Sequence, residues 1–400
     1  MLKTTLILAS LLVPGLAQAA VWPTTRRWDA NAENQYKTWV QTSWKVDIFQ
    51  NKQSLYYGLF PDCADTVYAM RAIFASQNGL PFAVVDPSTN RSTITNEMQK
   101  FDKVAAGPKR VTAYLNWLFG VLGTVTLPAD TYPVAINRDA VHAGGLMLAK
   151  ESKHSYTVKD IRQTGVPVLV YSTQANRGDL KVRSWPSVGY LFSKGIKQPS
   201  GFRYFRYPEH LLKPVWEVPG FSDEQYQAPA NKWVAAMQAK LANRKEVANE
   251  ALTRQVDDAC QLITTRVELV NEAMAQLKKI GDRCMNAQEY DDYSTPSRDG
   301  QTKAAFEDLA ATLKRALKNN EAIDATLREQ LQNVFADNAS DEKGAQICAI
   351  TYAKGKTISL GELRRRLFTG MLSSNPNDPL SVRWGEVKGP SDRAKRCPIY

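Results

Sequence analysis

The chain has 400 residues, 44% hydrophobic and 23% charged, with a formal net charge of +11. That length and apolar content suffice for two sizeable cores, and no apolar stretch beyond the N-terminal leader is long enough to cross a bilayer as a helix, so no membrane-spanning helix is expected after the leader. The charge is spread along the chain, with no block of one sign.

Residues 1–19 read as a secretory signal: Lys3, an apolar run from Leu6 to Leu16, then Ala17-Gln18-Ala19 before Ala20. No cysteine follows the cleavage site, so a lipid anchor is not expected and the mature protein is expected to be periplasmic or secreted. Losing the signal removes only Lys3, taking the charge from +11 to +10. A basic exported protein is drawn to polyanions, which in a bacterial envelope means peptidoglycan, teichoic acid or lipopolysaccharide. Nucleic acid is not an expected partner outside the cell.

The patterning predicts a helix over 30–46. Pro61-Asp62-Cys63-Ala64-Asp65 then opens an amphipathic segment with Val67, Met70, Ile73 and Phe74 at helical spacing, stopped by Asn78-Gly79. A strand is predicted from Phe82 to Val85, a helix near 108–122, and strands around 144–149, 154–159, 166–173 and 188–193. Near residues 218–230 the chain changes from mixed aromatic strands and Gly/Pro turns to an Ala/Leu/Lys/Glu/Arg-rich helical composition. The expected division is therefore an α+β domain over 20–222 and a mainly helical domain over 223–400. No Pro or Gly falls between Asn231 and Gly281, which predicts one very long helix or a helical hairpin. Helices over 302–318, 322–335 and 359–371, and a strand over 347–352, complete the prediction.

Five cysteines in an exported chain leave one over: Cys260, Cys284, Cys348 and Cys397 cluster in the C-terminal part, whereas Cys63 stands alone upstream. Two C-terminal disulfides and an unbridged Cys63 are the economical expectation. An unbroken helix over 260–284 would separate its two cysteines by roughly 36 Å, so Cys260 would pair with Cys348 or Cys397.

Cys63 at a helix N-terminus is the candidate nucleophile, because the helix dipole and a nearby histidine lower a thiol pKa. The plain alternative is a small buried core cysteine. Of the three histidines, His142, His154 and His210, only His154 begins an alternating strand, His154-Ser155-Tyr156-Thr157-Val158, with His154, Tyr156 and Val158 on one face. Helix with Cys, strand with His, then a neighbouring strand with a polar orienter is the order of a thiol acyl-transfer site, and Tyr57 is a further candidate oxyanion donor. The expected site uses no cofactor and no metal.

At these residues the chain resembles papain-like cysteine peptidases of the NlpC/P60 type. Asp62-Cys63-Ala64-Asp65 is similar to that family's Asp-Cys-Ser-Gly entry to the nucleophile helix, and Asn78-Gly79-Leu80-Pro81 to the Gly and Leu-Pro after it. Val141-His142-Ala143-Gly144-Gly145-Leu146 with His154-Ser155-Tyr156-Thr157-Val158 resembles its Pro-Gly-Asp-Leu and His-Val-Gly-Ile strand pair. The resemblance implies a papain-like N-terminal domain with Cys63 as nucleophile and His154 as base. Ser172 is the choice for the third residue, with Asp160 and Thr173 as competitors. Ala64-Asp65 departs from Ser-Gly, and a 91-residue interval from Cys63 to His154 implies an insertion. The same residues are also similar to transglutaminase-like domains, although the aspartate of their Asp-Pro-Thr strand end is absent near Tyr171-Ser172-Thr173. The expected function is an exported cysteine peptidase or amidase acting on cell-wall peptide. The alternatives are a transglutaminase-like acyl transferase and a catalytically inactive papain-like scaffold that binds an envelope polymer.

Overall fold

The computed structural model describes residues 20–149, 154–172, 178–187, 197–336 and 347–400. The expected signal over 1–19 and the strand expected over 188–193 lie outside them. Asp29 starts α1 (Ala30–Thr42) by accepting from the Ala32 N–H. Helix α2 (Cys63–Gln77) begins with a reciprocal cap: the Asp62 carboxylate accepts from the N–H groups of Ala64 and Asp65, and the Asp65 carboxylate accepts from the Asp62 N–H. Every residue of α2 from Ala64 to Ala75 is buried, Asp65 and Arg71 included, so the segment expected to be amphipathic has all its faces inside the core. Gly79, at φ +61°, turns the chain out of the helix.

A small hairpin, β1 (Ala83–Val85) with β2 (Thr93–Thr95), precedes α3 (Pro108–Phe119) and α4 (Leu127–Asp130). The strands β3 (Thr131–Pro133), β4 (Leu146–Ala149), β5 (His154–Ile161), β6 (Pro167–Ser172), β7 (Leu180–Arg183) and β8 (Gly201–Phe205) form one antiparallel sheet in the order β3-β8-β4-β5-β6-β7. The expected strands at 144–149, 154–159 and 166–173 are its middle; the short β3, β7 and β8 carry too little alternation to be read alone.

Alternation gives the sheet two apolar faces. Leu146, Leu148, Val170 and Leu180 pack with α2. Met147, Tyr156, Val158, Leu169 and Tyr171 pack on the other side with Trp233, Met237 and Leu241 of α5 (Trp233–Leu241). The sheet layer thus runs on through α5, past the boundary drawn at 222.

Helix α6 (Ala248–Ile280) follows, separated from α5 because the N–H groups of Asn243 and Arg244 bond to the Gln163 carbonyl in the β5–β6 turn, at 2.8 and 3.1 Å. Tertiary hydrogen bonds at that turn override the helical propensity of the uninterrupted 231–281 stretch. Helices α7 (Ala287–Tyr293), α8 (Pro296–Lys318) and α9 (Ala325–Phe335), the hairpin of β9 (Ile350–Ala353) and β10 (Lys356–Ile358), and α10 (Leu360–Phe368) follow. The core of this half joins Leu252, Ile263 and Val270 to Phe306, Leu313, Leu331, Ile350 and Trp384. Cys260 lies at disulfide distance from Cys348, and Cys284 from Cys397, with Cα separations of 5.9 and 5.5 Å. Cys260 and Cys284 do not pair, because α6 is continuous from Cys260 to Ile280. Among the described residues no helix is long and apolar enough to cross a membrane.

Candidate functional site

Cys63 is the first residue of α2, partly buried and outside both disulfides. The two central strands cross above its turn. Ser155 of β5 donates from its hydroxyl to the Cys63 carbonyl at 2.9 Å, and Ser172 of β6 donates to the Pro61 carbonyl at 3.1 Å. Both serines are buried. The sheet therefore grips the entry to α2 through two short hydroxyl side chains.

His154 is not on that side. Its ring packs edge-on against Tyr156 at 4.6 Å and near Tyr171 at 6.1 Å, both members of the core that faces α5. Successive strand residues point to opposite faces, so Ser155 and Thr157 turn toward α2 while His154, Tyr156 and Val158 turn away. The cross-strand pairs agree: Leu148 opposite Ser155 belongs to the α2 core, and Ala149 opposite His154 to the α5 core. The three-residue face expected for His154, Tyr156 and Val158 is present, but it is the wrong face for a base. Among the described residues no hydrogen bond joins Cys63 to His154, and the expected catalytic pair is not assembled.

The electrostatics match the geometry. The Cys63 thiol is pushed up to about 11, first by burial and then by the neighbouring Asp62 carboxylate, against the lowering expected from the helix dipole. Asp62 caps the helix and its negative charge opposes the dipole field at the sulfur. The same cap occupies the N–H groups of Ala64 and Asp65, so these donors are taken from the oxyanion role expected of the helix start. His154 is driven down to about 4 by burial, then by the Arg183 and Arg298 charges, and stays neutral near pH 7. Arg183 sits 5.7 Å from the Tyr171 ring and donates to Gln301 of α8, so His154 lies at the seam between the sheet and the helical half.

Of the other candidates, Ser172 lies on the correct face but spends its hydroxyl on Pro61. Asp160 is exposed and accepts from Gln41 of α1 at 2.9 Å. Tyr57 is exposed on the loop before α2. Thr173 lies outside the described residues. His142 bonds the Ala143 carbonyl and packs on Tyr204, away from α2's first turn.

Two features were missed. Ser155, a small residue inside an otherwise bulky strand, was the legible sign of a helix packed against that position. Arg71 of α2 is buried, forms an ion pair with Glu33 of α1 at 2.9 Å, and lies 3.4 Å over the Trp28 ring; its only signal was a single basic residue in the middle of a mostly apolar helix. Comparison with known proteins finds no matching family model, no matching curated relative and no matching solved structure.

Proposed function

We propose that the chain is an envelope-binding protein: a papain-like scaffold that holds an anionic wall polymer without turning over its peptide bonds. The observation that carries this reading is the parity of β5, which sets Ser155 and not His154 over Cys63. A thiol held up near 11, with its neighbouring N–H groups already capped, is a poor nucleophile at neutral pH. The scaffold half is supported by a cysteine-led helix buried against an antiparallel sheet whose consecutive strands cross its first turn, the arrangement that the NlpC/P60 resemblance implies. The binding half is supported by the net charge of +10 left after loss of the leader-like residues 1–19, +11 less Lys3, and by that leader. Cosedimentation with purified peptidoglycan tests it. The expected result is salt-sensitive binding, equal for wild type and Cys63→Ala, with no soluble peptide released under reducing conditions. Release of fragments that Cys63→Ala abolishes would reinstate the cysteine peptidase.

A further inference from the structure

A cavity of about 530 Å³ is lined by Thr124, Val125, Pro128, Pro199, Val215 and two arginines, Arg203 and Arg206, among others. The arginines lie deep, 2% and 9% exposed, whereas Val125 at the mouth is 77% exposed. Buried guanidinium groups are normally paired with carboxylates, because an isolated charge is costly away from water. Here, among the described residues, the partners of both are neutral oxygens. Arg203 donates to the Thr131 hydroxyl and carbonyl, each at 2.8 Å, and to the carbonyls of Pro199 and Pro128. Arg206 donates from Nε to Thr131 O, and from Nη1 to the carbonyls of Leu211 and Lys213. Its Nη2 donates to nothing among the described residues, which leaves two N–H groups of a fixed fork for a ligand.

Asp130 is the acidic group whose charge reaches Arg206, and it is no full counter-ion. Its oxygens accept from the Val85 N–H and the Tyr68 hydroxyl, and burial pushes it up to about 7. The two arginines repel each other and both are lowered by burial, so a bound anion would relieve a cost already present in the fold. A purely structural role as carbonyl clamps accounts for Nε and Nη1 of Arg206 but gives no partner to Nη2 of this cavity-lining residue.

The geometry points to a binding site for an organic phosphomonoester, with the phosphate on Arg206 beside the Arg203 charge and an apolar remainder against Val125, Pro128 and Val215. Two guanidinium charges match a phosphomonoester, which carries about −1.5 to −2 near neutral pH, better than a single carboxylate. The cavity volume falls within the usual range for small-molecule sites. The inference does not depend on the state of Cys63, so it stands or falls separately from the envelope-binding reading.

Isothermal titration of the whole chain with hexyl phosphate, hexanoate and inorganic phosphate tests it. The expected result is saturable binding of hexyl phosphate, about tenfold tighter than either other probe. Arg206→Gln is expected to weaken it about tenfold, and Val125→Glu, which sets a like charge at the exposed mouth without touching a core, by a similar factor. If Arg206→Gln fails to fold, Val125→Glu alone decides. No saturable binding of hexyl phosphate, equal binding of hexanoate, or binding unchanged in Val125→Glu each overturns the proposal.

Discussion

The hydroxyl of Ser155 reaches the carbonyl of Cys63 at 2.9 Å, so the strand residue that meets the candidate nucleophile is a serine, one position along from the histidine that the chemistry requires. A single step in a strand exchanges faces, and no side-chain rotation carries a ring through the sheet. His154 instead joins Tyr156, Tyr171 and Arg183 at the seam with the helical half. The first turn of α2 is consequently held by neutral hydroxyls and a capping carboxylate; burial and that carboxylate disfavour thiolate and outweigh the Ser155 hydrogen bonds, which act the other way.

Cys63 is therefore expected to react slowly. With its thiol near 11, only about one part in a thousand is thiolate at pH 8, and iodoacetamide should label the native protein far more slowly than the unfolded chain. The labelling rate should climb as pH approaches the thiol value, and His154→Ala should leave it unchanged. Rapid labelling at pH 7 that His154→Ala suppresses would contradict the separation of the two faces.

Ser155→Ala and Ser172→Ala should each cost about 1 kcal/mol of stability, since each deletes a buried hydroxyl bond to a carbonyl of the same loop. Pro61 and Cys63 are two residues apart, so the double variant should depart from additivity. Urea midpoints for the two single variants and the double variant measure this. A strictly additive pair would mean the strands grip the loop independently.

The same residues mark what could be read in the sequence. The capped start of α2, its stop at Asn78-Gly79, and the shared face of His154, Tyr156 and Val158 all follow from local rules, and all are present. What local rules do not fix is which sheet face receives α2. That depends on α5 closing the opposite face with Trp233 and Met237, a contact between segments some eighty residues apart. The short strands β3, β7 and β8 are likewise defined by their partners rather than by their own alternation. The break between α5 and α6 is invisible in composition because its cause, the Gln163 carbonyl, lies in a distant turn. The cysteine count left two partners open for Cys260; with α6 continuous, Cys260 lies at disulfide distance from Cys348 and Cys284 from Cys397, and Cys63 belongs to neither pair.

Stability should fall as pH rises from about 6.5 to about 8, a window above the titration of His154, whose value is lowered to about 4 and whose contribution runs the other way below 6.5. Asp65 is raised to about 8 by burial and then by Asp62, and Asp130 to about 7 by burial, both from an ordinary carboxylate value. A carboxyl with a raised pKa in the folded state binds more protons folded than unfolded across that window. Its contribution is complete below the unfolded value and is lost as pH climbs through the folded one. Asp65→Asn keeps an oxygen to accept from the Asp62 N–H and should flatten the upper part of the profile, raising stability at pH 8 relative to wild type. Chemical denaturation at pH 6.5, 7 and 8 checks the slope; a wild-type profile that rises over this range would refute it.

The position of α2 also depends on Arg71. Its guanidinium is buried, bonded to the Glu33 carboxylate of α1 and stacked on Trp28, while the Tyr204 hydroxyl of β8 donates to the same Glu33 at 2.8 Å. One ion pair thus links α1, α2 and the sheet. Glu33→Gln leaves a buried arginine without its counter-charge, and breaking a buried pair in this way typically costs about 3 to 5 kcal/mol. The double variant Glu33→Gln with Arg71→Met removes both charges and fills a similar volume, so it should recover much of that loss. Thermal and urea unfolding of the single and double variants distinguish the two cases. If Glu33→Gln costs no more than an exposed pair, about 1 kcal/mol or less, the pair does not anchor α2. If the double variant is as unstable as the single, the cost arises from the lost Tyr204 and Trp28 contacts and not from an uncompensated charge.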